Sequence, residues 1–149
     1  AVGLLKTIPG IGNNLAAMIA GEIGDISRFK NARQLVAYCG IDPSVKQSGN
    51  FTGSRNRLSK RGSPYIRKAL YIAATVAVRK NANGECVNPV LRNYYEQKIV
   101  CKPKKQALGA IMNKLVRIIF AVLKNQKPFK LITPEEQKAL HSQKLTMAA

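Results

Sequence analysis

Apolar residues in the N-terminal part of the chain recur every three to four positions, which is the spacing of an amphipathic helix. One such run predicts a helix over residues 14–22 that stops near Gly24. Its buried face comprises Leu15, Met18, Ile19 and Ile23. Asn31 is a favourable N-cap for a second helix, which ends at Gly40, and Phe29 ahead of it is placed to pack on the same core. This part of the chain is therefore predicted to be helical.

Proline marks the helix starts in the second half of the chain. Ser63 followed by Pro64 predicts a helix that reaches about residue 80, with serine as N-cap and proline in the first helical position. Its apolar face contains three alanines, which permit close approach of a neighbouring helix. Asn88 and Pro89 give the same start signal for a helix through residue 99. The paired tyrosines of that helix, Tyr94 and Tyr95, are interpreted as packed aromatics, with base stacking as the alternative.

A long amphipathic helix follows Pro103 and is succeeded by a polar extension. The buried stripe of the helix comprises Leu108, Ile111, Met112, Leu115, Ile118, Ile119, Val122 and Leu123. Over residues 126–149 the composition turns polar, and Thr133 with Glu136 forms a capping box for a short peripheral helix. The fold class is therefore predicted to be mainly α. The predicted organisation is a main domain over 1–125, with a helical core at 63–125, and the extension over 126–149.

Helical periodicity fails between residues 41 and 62, where three glycines are interleaved with four serines. The glycines are Gly49, Gly53 and Gly62, and the serines are Ser44, Ser48, Ser54 and Ser59. We predict a loop with a short β-hairpin. A 22-residue stretch without regular structure is long for a compact domain, so function is expected here.

Charge makes a polyanion the expected partner. The 149 residues contain 25 Lys and Arg against seven Asp and Glu, which gives a formal net charge of +18. No acidic residue lies between Pro43 and Gly84, a segment that contains Lys46, Arg55, Arg57, Lys60, Arg61, Arg67, Lys68, Arg79 and Lys80. Such a segment offers phosphate groups a continuous positive field. A basic but merely solvated surface is the simpler alternative.

Other functional classes receive little support from the sequence. The longest uncharged apolar run, residues 69–78, is too short to span a bilayer, and the first residues lack the features of a secretory signal. The three cysteines form no Cys-x-x-Cys pair, and His141 is the single histidine. We therefore expect reduced thiols, no metal site in this chain and a cytoplasmic location.

The segment Pro9-Gly10-Ile11-Gly12 places a tight turn between two apolar helical segments, as in a helix-hairpin-helix motif over residues 1–24. Glycine lets the backbone approach a ligand closely, and N–H groups at the start of the next helix can hold a phosphate. Such contacts position a duplex without reading its sequence. An ordinary helix corner that uses glycine for its turn is the alternative.

Residues 4–124 resemble the insertion-sequence transposases that combine an N-terminal RuvC-like carboxylate domain with a C-terminal serine-bearing domain and are guided by a bridge RNA. The matching motifs are Ile8-Pro9-Gly10-Ile11-Gly12, Glu22-Ile23-Gly24-Asp25-Ile26-Ser27-Arg28-Phe29, Leu35-Val36-Ala37-Tyr38-Cys39-Gly40-Ile41-Asp42-Pro43, Gln47-Ser48-Gly49, Ser59-Lys60-Arg61-Gly62, Tyr65-Ile66-Arg67-Lys68-Ala69-Leu70 and Lys102-Pro103-Lys104-Lys105-Gln106-Ala107. Their order and spacing carry the resemblance.

The resemblance implies that Ser48 attacks a DNA phosphodiester and becomes joined to it, which conserves the phosphoester bond for later resealing. Ser44, Ser54 and Ser59 are substitutes to test if Ser48 is only a turn serine. Nearby cations would hold the charge on the phosphoryl oxygens. The predicted nucleic-acid-binding set is Gly10, Gly12, Lys46, Arg55, Arg57, Lys60, Arg61, Arg67 and Lys68.

Activation of the serine is not explained by this chain, because no histidine lies near Ser48 and the nearest acid, Asp42, is isolated. The resemblance assigns Mg²⁺ to the RuvC-like domain, so we expect this chain alone to bind nucleic acid without cutting it. It further implies DNA, a bridge RNA, the RuvC-like domain and further subunits as partners in the bacterial nucleoid. A non-catalytic helix-hairpin-helix module that binds DNA or RNA is the alternative function, and a helical scaffold is a third.

Overall fold

The computed structural model describes residues 1–43, 57–148 and the backbone of 47–48 and 51–52. Seven α-helices occur in these residues: α1 Val2–Leu5, α2 Asn13–Ile23, α3 Ala32–Tyr38, α4 Pro64–Ala77, α5 Pro89–Ile99, α6 Lys104–Asn125 and α7 Pro134–Ala148. A 3-10 turn, Ile26–Arg28, precedes α3. Two short antiparallel strands, β1 Gln47–Ser48 and β2 Phe51–Thr52, pair Gln47 with Thr52 and Ser48 with Phe51. The predicted mainly helical fold class is confirmed.

Side-chain caps fix the helix starts at the predicted residues. Asn31 Oδ1 accepts the Gln34 N–H at 3.1 Å, and Asn88 Oδ1 accepts the Leu91 N–H at 3.2 Å. Ser63 Oγ accepts the Tyr65 N–H at 3.2 Å. Each cap satisfies a backbone donor that the first helical turn leaves unpaired, which is worth about 1 kcal/mol.

The capping box of α7 is also present. Thr133 N–H donates to Glu136 Oε2 at 2.8 Å, and Glu136 N–H donates to Thr133 Oγ1 at 3.2 Å. The helix runs for 15 residues, so it is longer than the short helix predicted. Before it, Phe129 N–H donates to Thr7 Oγ1 at 2.8 Å, which ties the start of the extension to the N-terminal turn.

The prediction that α4 reaches about residue 80 was wrong by three residues. The helix ends at Ala77, and the chain then turns, so that Lys80 forms an antiparallel bridge with Cys86. Asn81 Oδ1 accepts the N–H groups of Asn83 and Glu85, and this local turn competes with further helix. Helical periodicity alone does not reveal such a turn.

Helix α6 is the centre of the core. It packs against α1, α3, α4 and α5, while the other buried side of α4 packs on α2. Ile111, Leu115 and Ile119 on α6 are fully buried, and they contribute to one continuous apolar cluster. By length and composition α6 could cross a membrane, but half of its apolar window is buried inside the protein. A core helix of a helical domain has the same properties.

Candidate nucleic-acid interface

The glycine turn between α1 and α2 is held against α4. Gly10 has a φ of +102°, a conformation that L side chains rarely adopt, and a Cβ added there would lie 3.0 Å from both the Ala73 carbonyl oxygen and the Ala77 Cβ. Ile8 and Ile11 on either side are buried. The conformation and the small size of Gly10 are therefore required for packing, independently of any ligand.

Gly12 has a different environment from Gly10. It is exposed, an added Cβ would meet no atom within 4 Å, and it is the N-cap of α2 without a side-chain cap. The first turn of α2 contains no acidic residue, and Asn13 and Asn14 are exposed. This helix start therefore has uncapped N–H groups and the positive end of the helix dipole at the surface.

The two ends of the predicted loop region come together as a short antiparallel pair, which we call the stem (residues 40–43 and 57–60). Ser59 N–H donates to the Asp42 carbonyl at 2.8 Å, and Lys60 N–H donates to the Gly40 carbonyl at 3.0 Å. Pro43 and Leu58 form a bridge in the same pairing. The stem joins both ends of the segment that contains Ser48 to the helical core.

The sequence suggested that Asp42 is isolated, but in the structure Ser59 Oγ donates to its carboxylate at 2.5 Å. The Arg61 N–H also reaches Ser59 Oγ at 3.4 Å. The first contact links the two sides of the stem, and the second joins residues 59 and 61 on the same side. Among the serines considered as substitutes for Ser48, Ser59 therefore already has a structural role.

Two glycines let the stem approach the C-terminal end of α3. A Cβ on Gly40 would lie 1.9 Å from the Arg61 carbonyl oxygen, and one on Gly62 would lie 2.0 Å from the Tyr38 carbonyl oxygen. Both residues have positive φ, +67° and +93°. No larger residue fits either position without moving the backbone.

Arg67 on α4 holds the two residues that follow the stem. Its Nη1 donates to the Gly62 carbonyl at 3.0 Å and lies 3.5 Å from the Arg61 carbonyl oxygen. Part of this guanidinium therefore serves the fold, and the remaining donors are what a phosphate could use. Beneath it, burial raises the pKa of the Cys39 thiol to about 12, although Arg67 acts in the opposite direction.

The structure describes some of the predicted site residues and not others. Arg57, Lys60, Arg61 and Lys68 are exposed at the stem and the first turns of α4. Lys46, Arg55, Ser44, Ser54 and the side chain of Ser48 lie outside the described residues. The backbone of Ser48 is in β1, paired with Phe51.

The paired tyrosines of α5 contact cations of the protein itself. Lys98 Nζ and Lys114 Nζ lie 5.1 and 4.2 Å from the ring centre of Tyr94, and the Arg92 guanidinium lies 5.7 Å from that of Tyr95. Both rings are half-buried against the core cluster. These contacts support the interpretation as packed aromatics.

The sequence reasoning passed over the outer side of α4, where Tyr65, Tyr71 and Ile72 are exposed beside Lys68. The signal was present, because these positions share one helical face opposite the apolar one.

The described residues contain no group of metal ligands. In residues 1–43 and 57–148, no three His, Cys, Asp or Glu side chains lie close enough together to hold a metal ion.

Comparison with known proteins shows clear similarity to transposases. The profile of the Transposase IS116/IS110/IS902 family matches residues 2–96. The chain is 36% identical to the pilin gene-inverting protein of Moraxella bovis over 128 residues, which span 85% of this chain and 38% of that protein. It is 29% identical over 126 residues to the transposase for insertion sequence element IS1111A of Coxiella burnetii, spanning 85% of this chain and 34% of that protein. The chain thus spans well under two thirds of these relatives.

Proposed function

Because the chain belongs to the Transposase IS116/IS110/IS902 family, we propose that it is the DNA-binding and strand-transfer part of an insertion-sequence transposase. The observation that best supports this proposal is the stem. It joins the segment that contains Ser48 to the core, next to the exposed cations Arg57, Lys60 and Arg61. The names of the relatives, transposase and gene-inverting protein, support a DNA-rearranging role.

In the proposed reaction Ser48 Oγ attacks the phosphorus of a DNA phosphodiester. A serine–phosphorus ester forms, the bond from phosphorus to one DNA oxygen breaks, and that oxygen leaves as a hydroxyl with the proton given up by the serine. Attack by a DNA hydroxyl on the serine ester reverses these bond changes and reseals a strand. The number of phosphoester bonds is unchanged at each step, so no external energy source is required.

The cations around the stem have a defined role in this scheme. Negative charge on the non-bridging phosphoryl oxygens increases as the serine attacks, and fixed cations at that point lower the barrier. Arginine suits this role because its planar guanidinium can donate two parallel hydrogen bonds to one phosphate. Arg57 in the stem and Arg61 directly after it are both exposed.

Duplex positioning is assigned to the start of α2. Its uncapped first turn, beginning at Gly12, would hold a backbone phosphate as in a helix-hairpin-helix. Magnesium held by a RuvC-like domain outside this chain would lower the pKa of the serine hydroxyl and so favour its attack. A bridge RNA and further subunits complete the proposed assembly.

Trapping of the covalent intermediate tests the proposal. The full-length protein, with its guide RNA and a DNA substrate, is denatured after a short reaction, and the phosphoserine–DNA peptide is mapped by mass spectrometry. We expect Ser48→Ala to abolish the adduct, and the matched variants Ser44→Ala and Ser54→Ala to retain it. An adduct on another residue would remove Ser48 from the mechanism. DNA binding without any adduct in the wild type would favour the non-catalytic module instead.

A further inference from the structure

The outer side of α4 carries large side chains that the fold leaves uncovered. Tyr65 is 65% exposed, Tyr71 46% and Ile72 40%, and Lys68 between them is exposed as well. We call these four residues the α4 platform. They occupy about a third of the helix circumference, opposite the side that packs on α2 and α6. Among the residues that the structure describes, packing does not account for aromatic rings at these positions.

The rings of the α4 platform differ from the chain's other tyrosines. The Tyr38 ring lies under the Arg28 guanidinium at 4.7 Å, and its hydroxyl donates to the Glu22 carbonyl at 2.8 Å. Tyr94 and Tyr95 are likewise engaged by cations. For Tyr65 and Tyr71, no ring or cation contact occurs with the residues that the structure describes. Within that part of the chain, no ring or cation stacks on either of the two tyrosines.

Charge indicates which flat partner fits. The platform lies within the segment from Pro43 to Gly84 that contains no acidic residue, with Lys68 at its centre. Arg61 at one end and Arg79 at the other are also exposed. A partner with anionic groups and flat rings at regular intervals matches this combination, and nucleotides have both. Aromatic side chains beside cations are how proteins hold unpaired strands.

We propose that the α4 platform binds an unpaired DNA strand, with bases stacked on Tyr65 and Tyr71 and phosphates contacted by Lys68. The two tyrosines are separated by about 9 Å along the helix axis, so that each can receive a separate base. Bases in an intact duplex are already stacked on their neighbours and do not present a free face. The choice of DNA over RNA rests on the proposed function, because α4 begins directly after the stem and strand transfer there requires a locally opened duplex.

Binding of labelled oligonucleotides to this chain tests the proposal by fluorescence anisotropy. For a single-stranded DNA oligonucleotide we expect Tyr65→Leu and Tyr71→Leu each to weaken binding about five-fold or more, since stacking is worth about 1 kcal/mol or more per base. The matched variants Tyr65→Phe and Tyr71→Phe keep the ring and should bind within about two-fold of wild type. A duplex of the same sequence should be bound nearly equally by all variants. Equal single-strand binding by the leucine variants would overturn the proposal.

Photocrosslinking gives a second readout that requires no variant to fold. Wild-type chain is irradiated with single-stranded DNA that contains 5-iododeoxyuridine, and the crosslinked residue is mapped. Crosslinks at Tyr65 or Tyr71 support the proposal, and crosslinks confined to other residues overturn it. Two further results overturn the proposal. One is RNA of the same sequence binding ten-fold more tightly than the DNA, and the other is a leucine variant that alters only the chain's oligomeric state.

The two proposals can fail separately. If no adduct forms on Ser48, single-strand binding by the α4 platform can still be measured.

Discussion

At the scale of single residues, two glycines two positions apart in one motif have different physical roles. Gly10 is fixed by its left-handed backbone and by the contact with Ala73 and Ala77. Gly12 is under neither constraint, since its φ is −84° and the space around it is open. Sequence reasoning assigned both to phosphate binding, and the structure gives Gly10 a packing role that explains it without a ligand.

Gly10→Ala should destabilise the fold by about 1–3 kcal/mol, because it adds backbone strain and a close contact with α4. The measurement is the free energy of unfolding in urea. Gly24→Ala is the matched control, since Gly24 also has positive φ, +63°, but no atom lies within 4 Å of its added Cβ. Equal losses in the two variants would show that strain alone accounts for the effect.

Gly12→Asp should separate stability from binding. An aspartate at this N-cap can accept helix N–H groups and stabilise α2, while its charge repels a phosphate at the same place. We expect unchanged or higher unfolding free energy together with weaker duplex binding in a mobility-shift assay. Gly21→Asp adds the same charge near the other end of α2, in open space. Similar losses of affinity in both variants would count against a phosphate at Gly12.

Cys39 and Cys101 should differ in reactivity because they differ in burial. Cys39 is fully buried with its pKa raised to about 12 from an ordinary 9.0, whereas Cys101 is exposed. We expect a thiol reagent at pH 8 to modify Cys101 in the native chain and to reach Cys39 only on unfolding. Since the folded pKa is raised, the unfolded thiol ionises first, and the contribution of Cys39 to stability declines as pH rises above about 9. Rapid native labelling of Cys39 would contradict its burial.

At the scale of elements, the stem decides how the segment that contains Ser48 is held. Its hydrogen bonds join residues 40–43 to residues 57–60, and Arg67 on α4 donates to the carbonyl of Gly62 just after the stem. The predicted loop region is thus anchored at its ends by regular pairing. The sequence showed that this region is rich in glycine. The pairing of two segments more than a dozen residues apart, however, depends on the tertiary structure.

Gly62→Ala should open the stem, because a Cβ there would lie 2.0 Å from the Tyr38 carbonyl oxygen. Hydrogen exchange should then accelerate at the amides of Ser59 and Lys60, whose acceptors lie across the stem. Gly84→Ala is the matched control, with a φ of +80° and no atom within 4 Å of its added Cβ. Unchanged protection in Gly62→Ala would mean that the stem tolerates the side chain.

At the scale of the whole molecule, affinity for DNA should depend on where positive charge lies rather than on its total. Replacing Lys60, Arg61 and Lys68 by Ala should reduce the slope of log affinity against log salt by about two to three, as three phosphate contacts would. The matched control replaces Lys127, Lys130 and Lys138, which are exposed in the C-terminal part of the chain. Equal changes in the two triple variants would show non-specific attraction only.

The sequence by itself determined the helices and their starts, because caps and apolar periodicity are interactions between residues a few positions apart. Asn31, Ser63, Asn88 and Thr133 all cap as their local sequence predicts. Only the tertiary structure decided that Gly10 packs on α4, that Asp42 meets Ser59, and that Tyr65 and Tyr71 remain uncovered while Tyr94 does not. These outcomes depend on which distant segments come into contact when the helices pack around α6. Patterns within a few residues of sequence do not specify those contacts.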